Sequence, residues 1–293
     1  MYELIQVGPQ SCYINCPAKI GVYLQSEKDV YLIDSGNDKE AAKKVLKIAD
    51  AQGWTVKGIL NTHSNADHIG GNAFIQNKTG CLIFSSGIEA AFTCHPILEP
   101  SFLYGGYPCK ELRNKFLMAK ESSVADFSSL LFPKEVEIIP LPGHFFNMVG
   151  FRTPDNTVFL ADCVSSPATL EKYRVTFIYD VAAYLDTLET VEILKAAIFV
   201  PSHAEPCVDV RELTEINRRK VFEIEQMIKI ICNEPKTTEE IIREVFKAFG
   251  LTMTIEQYVL VGSTIRSCLS WMKDRGILDY AIENAMLQWK VAE

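Results

Sequence analysis

Four polar side chains crowd into six residues of the stretch "NTHSNADHIGG": His63, Asn65, Asp67 and His68. On an extended strand end His63 and Asn65 share one face, because side chains alternate with period two. Asp67 and His68 then fall in the turn that opens the next helix. One short segment can thus aim donors at two neighbouring metal positions. Imidazole nitrogen and carboxylate oxygen suit borderline divalent ions, and a catalytic site keeps one position open for water. Asn65 is the discordant member. A neutral carboxamide oxygen is a weaker donor to a first-row metal than an imidazole nitrogen.

More donors of the same kind stand where other strands end: His144 in "PLPGHFF", Asp162 in "FLADCV" and His203 in "VPSHAEP". The order "THSNADHIGG", "PGH", "LADC", "SHAEP" resembles the metallo-β-lactamase fold superfamily, whose signature is HxHxDH followed by His, Asp and His. "YLIDSG" matches the strand that precedes the motif there, with Asp34 as a support rather than a ligand. The resemblance covers roughly residues 2 to 206. It implies an α/β chain folded as an αββα four-layer sandwich, with the metal site along one edge.

Carried over by position, the first site would use His63, Asn65 and His144, and the second Asp67, His68 and His203. Asp162 would bridge them. Because Asn65 departs from the signature, one tightly held ion is expected, with a second that is weak or absent. Zinc is the expected metal, with iron or manganese as alternatives. Asp67 would hold the nucleophilic water as ligand and proton acceptor, so no Ser or Cys nucleophile is needed. Cys163, next to Asp162 on a strand, faces the other way and reads as core, and His95 in "FTCHPIL" reads as structural.

The elements that must position these groups are legible in outline. Short β-rich runs, "SCYINC", "IGVYLQS" and "DVYLIDSG", lead into an amphipathic helix "EAAKKVLKIADAQG" that stops at Gly53. "VKGILNTH" is a buried strand that delivers the motif, and a βα unit follows it. Residues 87–132 are expected to form a mostly helical insert whose Phe92, Phe102, Tyr104 and Tyr107 either wall a pocket or pack the insert down. Strands resume at "EVEIIPLPGH", "MVGFRTP", "TVFLADCV" and "AAIFVPSH". The metal-binding domain is expected over residues 1–208. Residues 209–293 read as three helices and a hairpin, a winged-helix-like domain of the kind found in a hydrolase branch of the superfamily, with a capping box from Thr237 to Glu240.

Composition narrows the function. The net charge of −8 argues against attraction to a nucleic acid backbone, and acidic and basic residues nearly balance from Arg211 onward. A role as lid or homodimer contact therefore suits the C-terminal unit better than DNA binding. Nine scattered cysteines without a CxxC pair suggest neither a disulfide framework nor a cysteine zinc cage, and Cys12 and Cys16 read as small apolar residues of a strand. No run approaches a membrane span and the N-terminus lacks signal-peptide sections, so a cytoplasmic location is expected. The leading reading is a metal-dependent hydrolase of a small ester or thioester, with an RNA-cleaving hydrolase as its variant. An iron-dependent oxidoreductase, of the persulfide dioxygenase or diiron reductase type, is the second. A catalytically reduced scaffold that binds a partner is the third.

Overall fold

The computed structural model describes residues 2–292. Six strands form a first sheet in sequence order: β1 (Glu3–Gln6), β2 (Ser11–Asn15), β3 (Ile20–Leu24), β4 (Asp29–Ile33), β5 (Thr55–Leu60) and β6 (Leu82–Phe84). The first four run antiparallel, whereas β4, β5 and β6 pair in parallel. Parallel pairing needs crossovers, which α1 (Lys39–Gln52), α2 (Ala66–Ile69) and α3 (Asn72–Thr79) supply. Helix α1 starts where the Asp38 carboxylate accepts the amides of Glu40 and Ala41, and it stops where Gly53 turns left-handed at φ 71°.

A second sheet, ordered β10-β9-β8-β7, follows an insert that contains α4 (Gly87–Cys94) and α5 (Leu98–Tyr104). Its strands are β7 (Glu137–Pro140), β8 (Val149–Arg152), β9 (Thr157–Ser165) and β10 (Ile198–His203), with α6 (Pro167–Tyr173) and α7 (Val181–Ile193) between β9 and β10. Alternation sorts the strand residues into layers. Val30 and Leu32 of β4 face Val45 and Ala49 of α1, while Tyr31 and Ile33 face the second sheet at Phe151, Phe159 and Val200. Each fully buried side chain of this kind contributes ~1.5–3 kcal/mol. The result is an α/β chain in four layers, two sheets face to face with helices on both outer faces, as the resemblance implies.

The outer face of the second sheet is covered by α7 and by the C-terminal helices α8 (Arg211–Ile231), α9 (Thr238–Ala248) and α10 (Ile255–Asp274). Leu160, Leu188, Ile224, Ile241, Ile265 and Met272 belong to one continuous core. Thr237 and Glu240 form the reciprocal cap that starts α9. A small sheet, β11 (Lys236–Thr237), β12 (Leu278–Glu283) and β13 (Met286–Val291), closes the chain, its hairpin turning through Asn284 and Ala285 at positive φ. Among the described residues no helix is long and apolar enough to cross a membrane.

The insert departs from a mostly helical reading. Helix is confined to α4, α5 and a single 3₁₀ turn at Lys110–Leu112, and from Arg113 to Val136 the chain carries no helix or strand. Along that stretch the side-chain oxygens of Asn114, Asp126 and Ser129 accept the amides of Phe116, Ser128 and Leu131, local bonds that compete with a helix. Phe92 and Phe102 pack edge-on against Phe145 and Phe146, while Tyr107 is 74% exposed. Phe92 and Phe102 anchor the insert, and neither they nor Tyr104 and Tyr107 wall the cavity described below.

Candidate metal centre

Each polar side chain singled out in the sequence is delivered by the end or a local break of an element. Strand β5 ends at Leu60, and His63 follows it into the core with no exposure. Asp67 and His68 lie on α2, whose N-cap is Asn65. His144 follows Gly143, which sits at φ 115° with its backbone against Tyr184, so that any Cβ would lie 2.2 Å from the Tyr184 nitrogen. Asp162 follows Ala161, whose φ of 50° breaks the alternation of β9. Leu160 and Ala161 both pack outward into the helical core, and Asp162 is turned to the site. His203 ends β10 after a register shift at Pro201.

These residues come together in two groups, Asp67, His68, Asp162 and His203 in one and His63, His144 and Asp162 in the other, with donor atoms in each within 4.8 Å of one another. Asp162 is common to both. Its Oδ1 lies 3.1 Å from His68 Nε2, and its Oδ2 lies 3.1 Å from His203 Nε2 and 3.7 Å from His144 Nε2. Asp67 Oδ2 stands 3.7 Å from His68 Nε2 and 3.6 Å from His203 Nε2. Donor atoms around a tetrahedral zinc, each ~2.0–2.1 Å from it, lie roughly 3.3 Å apart. The buried atoms His63 Nε2, His68 Nε2 and Asp162 Oδ1 have no hydrogen-bond partner. Leaving such atoms unpaired costs ~1–3 kcal/mol each. Lone pairs that converge without bonding one another fit a divalent cation, so the donor set present suits the group that the sequence motif implies.

Asp34 sets the ring tautomers. Its Oδ2 accepts the hydroxyl of Thr62 and the Nδ1–H of His68, both at 2.8 Å, and its Oδ1 accepts the Thr62 amide at 2.8 Å. With its proton given to Asp34, the Thr62 hydroxyl accepts from His63 Nδ1 at 2.9 Å. Both rings therefore keep the Nε2 lone pair free on the side of the cluster. Asp34 is held for this at a left-handed φ of 64° and is 2% exposed. Replacing it by asparagine should lower metal affinity by ~10–100-fold in calorimetric titration of the apoprotein. Unchanged affinity would show that the tautomers are set elsewhere.

Charge within the cluster is unevenly spread. Burial alone would raise the Asp67 carboxyl, but His68 and His203 beside it hold it below the usual carboxylate range. Burial would lower His203, yet Asp162 and Asp67 lift it to about 10. His63 is pushed well below the ordinary imidazole value by burial and by His68. Close acids and bases of this kind are found at functional centres and in structural ion-pair networks alike.

The sequence alone did not point to the residues that surround the motif loop. Glu89 of α4 accepts the Ser64 amide and hydroxyl at 3.0 and 2.6 Å and the Asn147 amide at 2.8 Å. Glu99 of α5 accepts the Asn65 side-chain N–H at 2.8 Å. The C-terminal unit, expected as a lid or homodimer contact, reaches the site through α10. A cavity of about 840 Å³ opens over Asp67, His144, Asp162 and His203, and Glu256, Gln257, Leu260 and Val261 form part of its wall. His95 caps the end of α4 away from both groups, and Cys163 is fully buried in the helical core. Cys12 is buried in β2, and the partly buried Cys16 thiol donates to the Ile14 and Ala18 carbonyls.

The family model described as the metallo-β-lactamase superfamily matches residues 21–203, and the chain belongs to that superfamily. Among solved structures, a β-lactamase domain protein from Burkholderia ambifaria superposes with a TM-score of 0.75 at 14% identity, over 99% of this chain and 94% of that one. A metallo-β-lactamase family protein from Thermus thermophilus gives 0.70 at 18% identity, over 99% and 98%. The likeness of fold thus extends through the C-terminal helices. Among curated proteins, a hydroxyacylglutathione hydrolase from Rhodopseudomonas palustris is 28% identical over 145 residues, 49% of this chain and 48% of that protein. Another of that name, from Rhodospirillum rubrum, is 50% identical over 53 residues, 18% of this chain and 21% of that protein. The chain spans about half or less of the length of these curated relatives.

Proposed function

We propose that the protein is a metal-dependent hydrolase of esters or thioesters whose leaving alcohol or thiol is uncharged and largely apolar. The observation that carries the reading is the pair of donor groups sharing Asp162, with three buried donor atoms left without partners, at the floor of a cavity. His63, Asn65 and His144 would hold one ion, Asp67, His68 and His203 the other, and Asp162 both. A bound divalent ion, zinc for preference, supplies acidity to water and polarises a carbonyl oxygen. Asp67, whose side chain is 44% exposed, faces the cavity and is placed to accept a hydrogen bond from the attacking water. Its depressed pKa makes it an orienting acceptor more than a strong base.

Relatives named hydroxyacylglutathione hydrolase support thioester chemistry. The cavity wall supports a different leaving portion. Leu117, Val175, Phe177, Leu260 and Val261 line it, and Phe116, 66% exposed, stands at its rim. Lys172 is the one lysine or arginine among the described lining residues, whereas Glu99 and Glu256 add acids. A glutathione conjugate brings two carboxylates to that wall. In this reading the C-terminal winged helix acts as a wall of the substrate cavity through α10.

Thiol release from a neutral aliphatic thioester and from a glutathione thioester of the same acyl group tests this. The zinc-loaded protein should cleave the neutral ester with a kcat/KM at least ~10-fold higher, since like charges brought together cost several kcal/mol, and chelation should abolish both rates. Absence of cleavage by the loaded protein would sink the hydrolase reading. Preference for the glutathione ester would sink only the leaving-group part.

A further inference from the structure

We propose that Glu99 is a positioning residue that turns the Asn65 carboxamide into a metal donor. The inference rests on the metal reading above. A carboxamide has two unlike ends, and only its oxygen carries a lone pair for a cation, while its nitrogen would present hydrogens to the same space. Asn65 Nδ2 donates to Glu99 Oε1 at 2.8 Å, and Asn65 Oδ1 therefore lies 3.2 Å from His144 Nε2. Without an ion that oxygen can accept a hydrogen bond from His144 Nε2, and the same separation is close to the roughly 3.3 Å between two donors on one tetrahedral ion.

The helix geometry shows that this orientation is imposed. Asparagine at an N-cap ordinarily directs its side-chain oxygen to an amide of the first helical turn. Asn65 is the N-cap of α2, in extended conformation, yet its side chain makes no cap hydrogen bond. The oxygen has been taken from the helix and given to the cluster. Glu99 is 5% exposed, and whether ionised or neutral it retains an oxygen that can accept from Nδ2.

The two buried acids of the insert act on adjacent residues. Glu89 holds the backbone and hydroxyl of Ser64, and Glu99 holds the side chain of Asn65. The insert therefore clamps the loop between His63 and α2 from outside. This parallels the way Asp34 orients His68 from inside. Such outer partners are what make a ligand's orientation, and so its affinity, reproducible.

Zinc titration of the intact apoprotein, read by calorimetry and by elemental analysis, tests the assignment. Two ions of unequal affinity are expected. Glu99→Leu should weaken the weaker ion by ~10–100-fold and leave the tighter one as it is. Glu99→Gln, which keeps an acceptor oxygen, should restore most of that affinity. A role limited to holding the insert would weaken both ions together, and that result overturns the proposal. So does a weaker ion indifferent to Glu99→Leu, or uptake of one ion at saturating zinc. If Glu99→Leu does not fold, Asn65→Ala carries the test: loss of the weaker ion alone supports the amide as donor, and two ions retained overturns it. A parent protein that takes up no zinc overturns the metal reading itself, and this inference with it.

Discussion

Replacing Asp162 by asparagine is expected to cost more than any other single change in the chain. Its carboxylate is the member shared by the two donor groups, with His68 and His203 each 3.1 Å away. The substitution keeps the shape and the strand but removes the charge that both imidazole sets face. Loss of even an outer partner of one ligand costs ~10–100-fold, a direct donor should cost more, and loss of a preorganised group at the reacting centre costs ~100–1000-fold. Because Asp162 serves both positions, thioester hydrolysis should fall roughly a thousandfold or more, with metal content falling in parallel. Far-UV circular dichroism should stay unchanged, since Leu160, Ala161 and Cys163 around it remain packed in the helical core. Full metal content with a rate reduced only severalfold would show that Asp162 bridges nothing.

The legible and illegible parts of this chain divide along a physical line. All seven polar residues singled out, from His63 to His203, lie around one cluster, and all but Asp162, which sits inside β9 and not at its end, are introduced by a short-range signal: a strand that stops, a glycine, a turn. Strand alternation, the α1 stop at Gly53 and the Thr237–Glu240 cap are likewise local and readable. Glu89 and Glu99 gave no such signal. They are acids in short helices of an insert, and only the tertiary docking of α4 and α5 shows that they are buried against residues 64 and 65. The insert misled for a related reason. Its Phe92 and Phe102 are spaced for packing, whereas its share of the cavity wall comes from Glu99, Phe116 and Leu117, joined by α10 some 140 residues further along the chain. Ala161 was equally silent, although its positive φ is what turns Asp162 inward.

That division also explains why Asn65 looked like an error. Judged by residue type it is a poor donor, and its neighbours in sequence offer it no help. In the fold it is an amide with its hydrogen side already engaged and its oxygen already aimed, which removes much of the orientational cost of using it. The site places a weaker donor in a fixed position where an imidazole would bind tightly. On the proposed reading, a second ion would be held less firmly because of donor type and held at all because of geometry.

Stripping the metal is expected to lower the melting temperature by roughly 10 °C. The cluster gathers Asp34, Asp67 and Asp162 with four imidazoles, and several of their atoms point at one another without hydrogen-bond geometry. In the absence of a cation, balance depends on protonated His68 and His203, both raised against the lowering effect of burial by the carboxylates around them. A cation supplies that balance without leaving buried lone pairs opposed. An ion present at a thousand times its dissociation constant stabilises the folded chain by about 4 kcal/mol. For a chain larger than 250 residues each kcal/mol corresponds to about 2–4 °C at most. Differential scanning calorimetry before and after chelation, with zinc added back, measures the shift directly. The parent should lose and regain it, and the Asp162→Asn protein, already without its shared donor, should show little change on chelation. Equal melting temperatures for stripped and loaded parent would mean that the cluster is satisfied without a cation, and the partnerless nitrogens of His63 and His68 would then need another explanation.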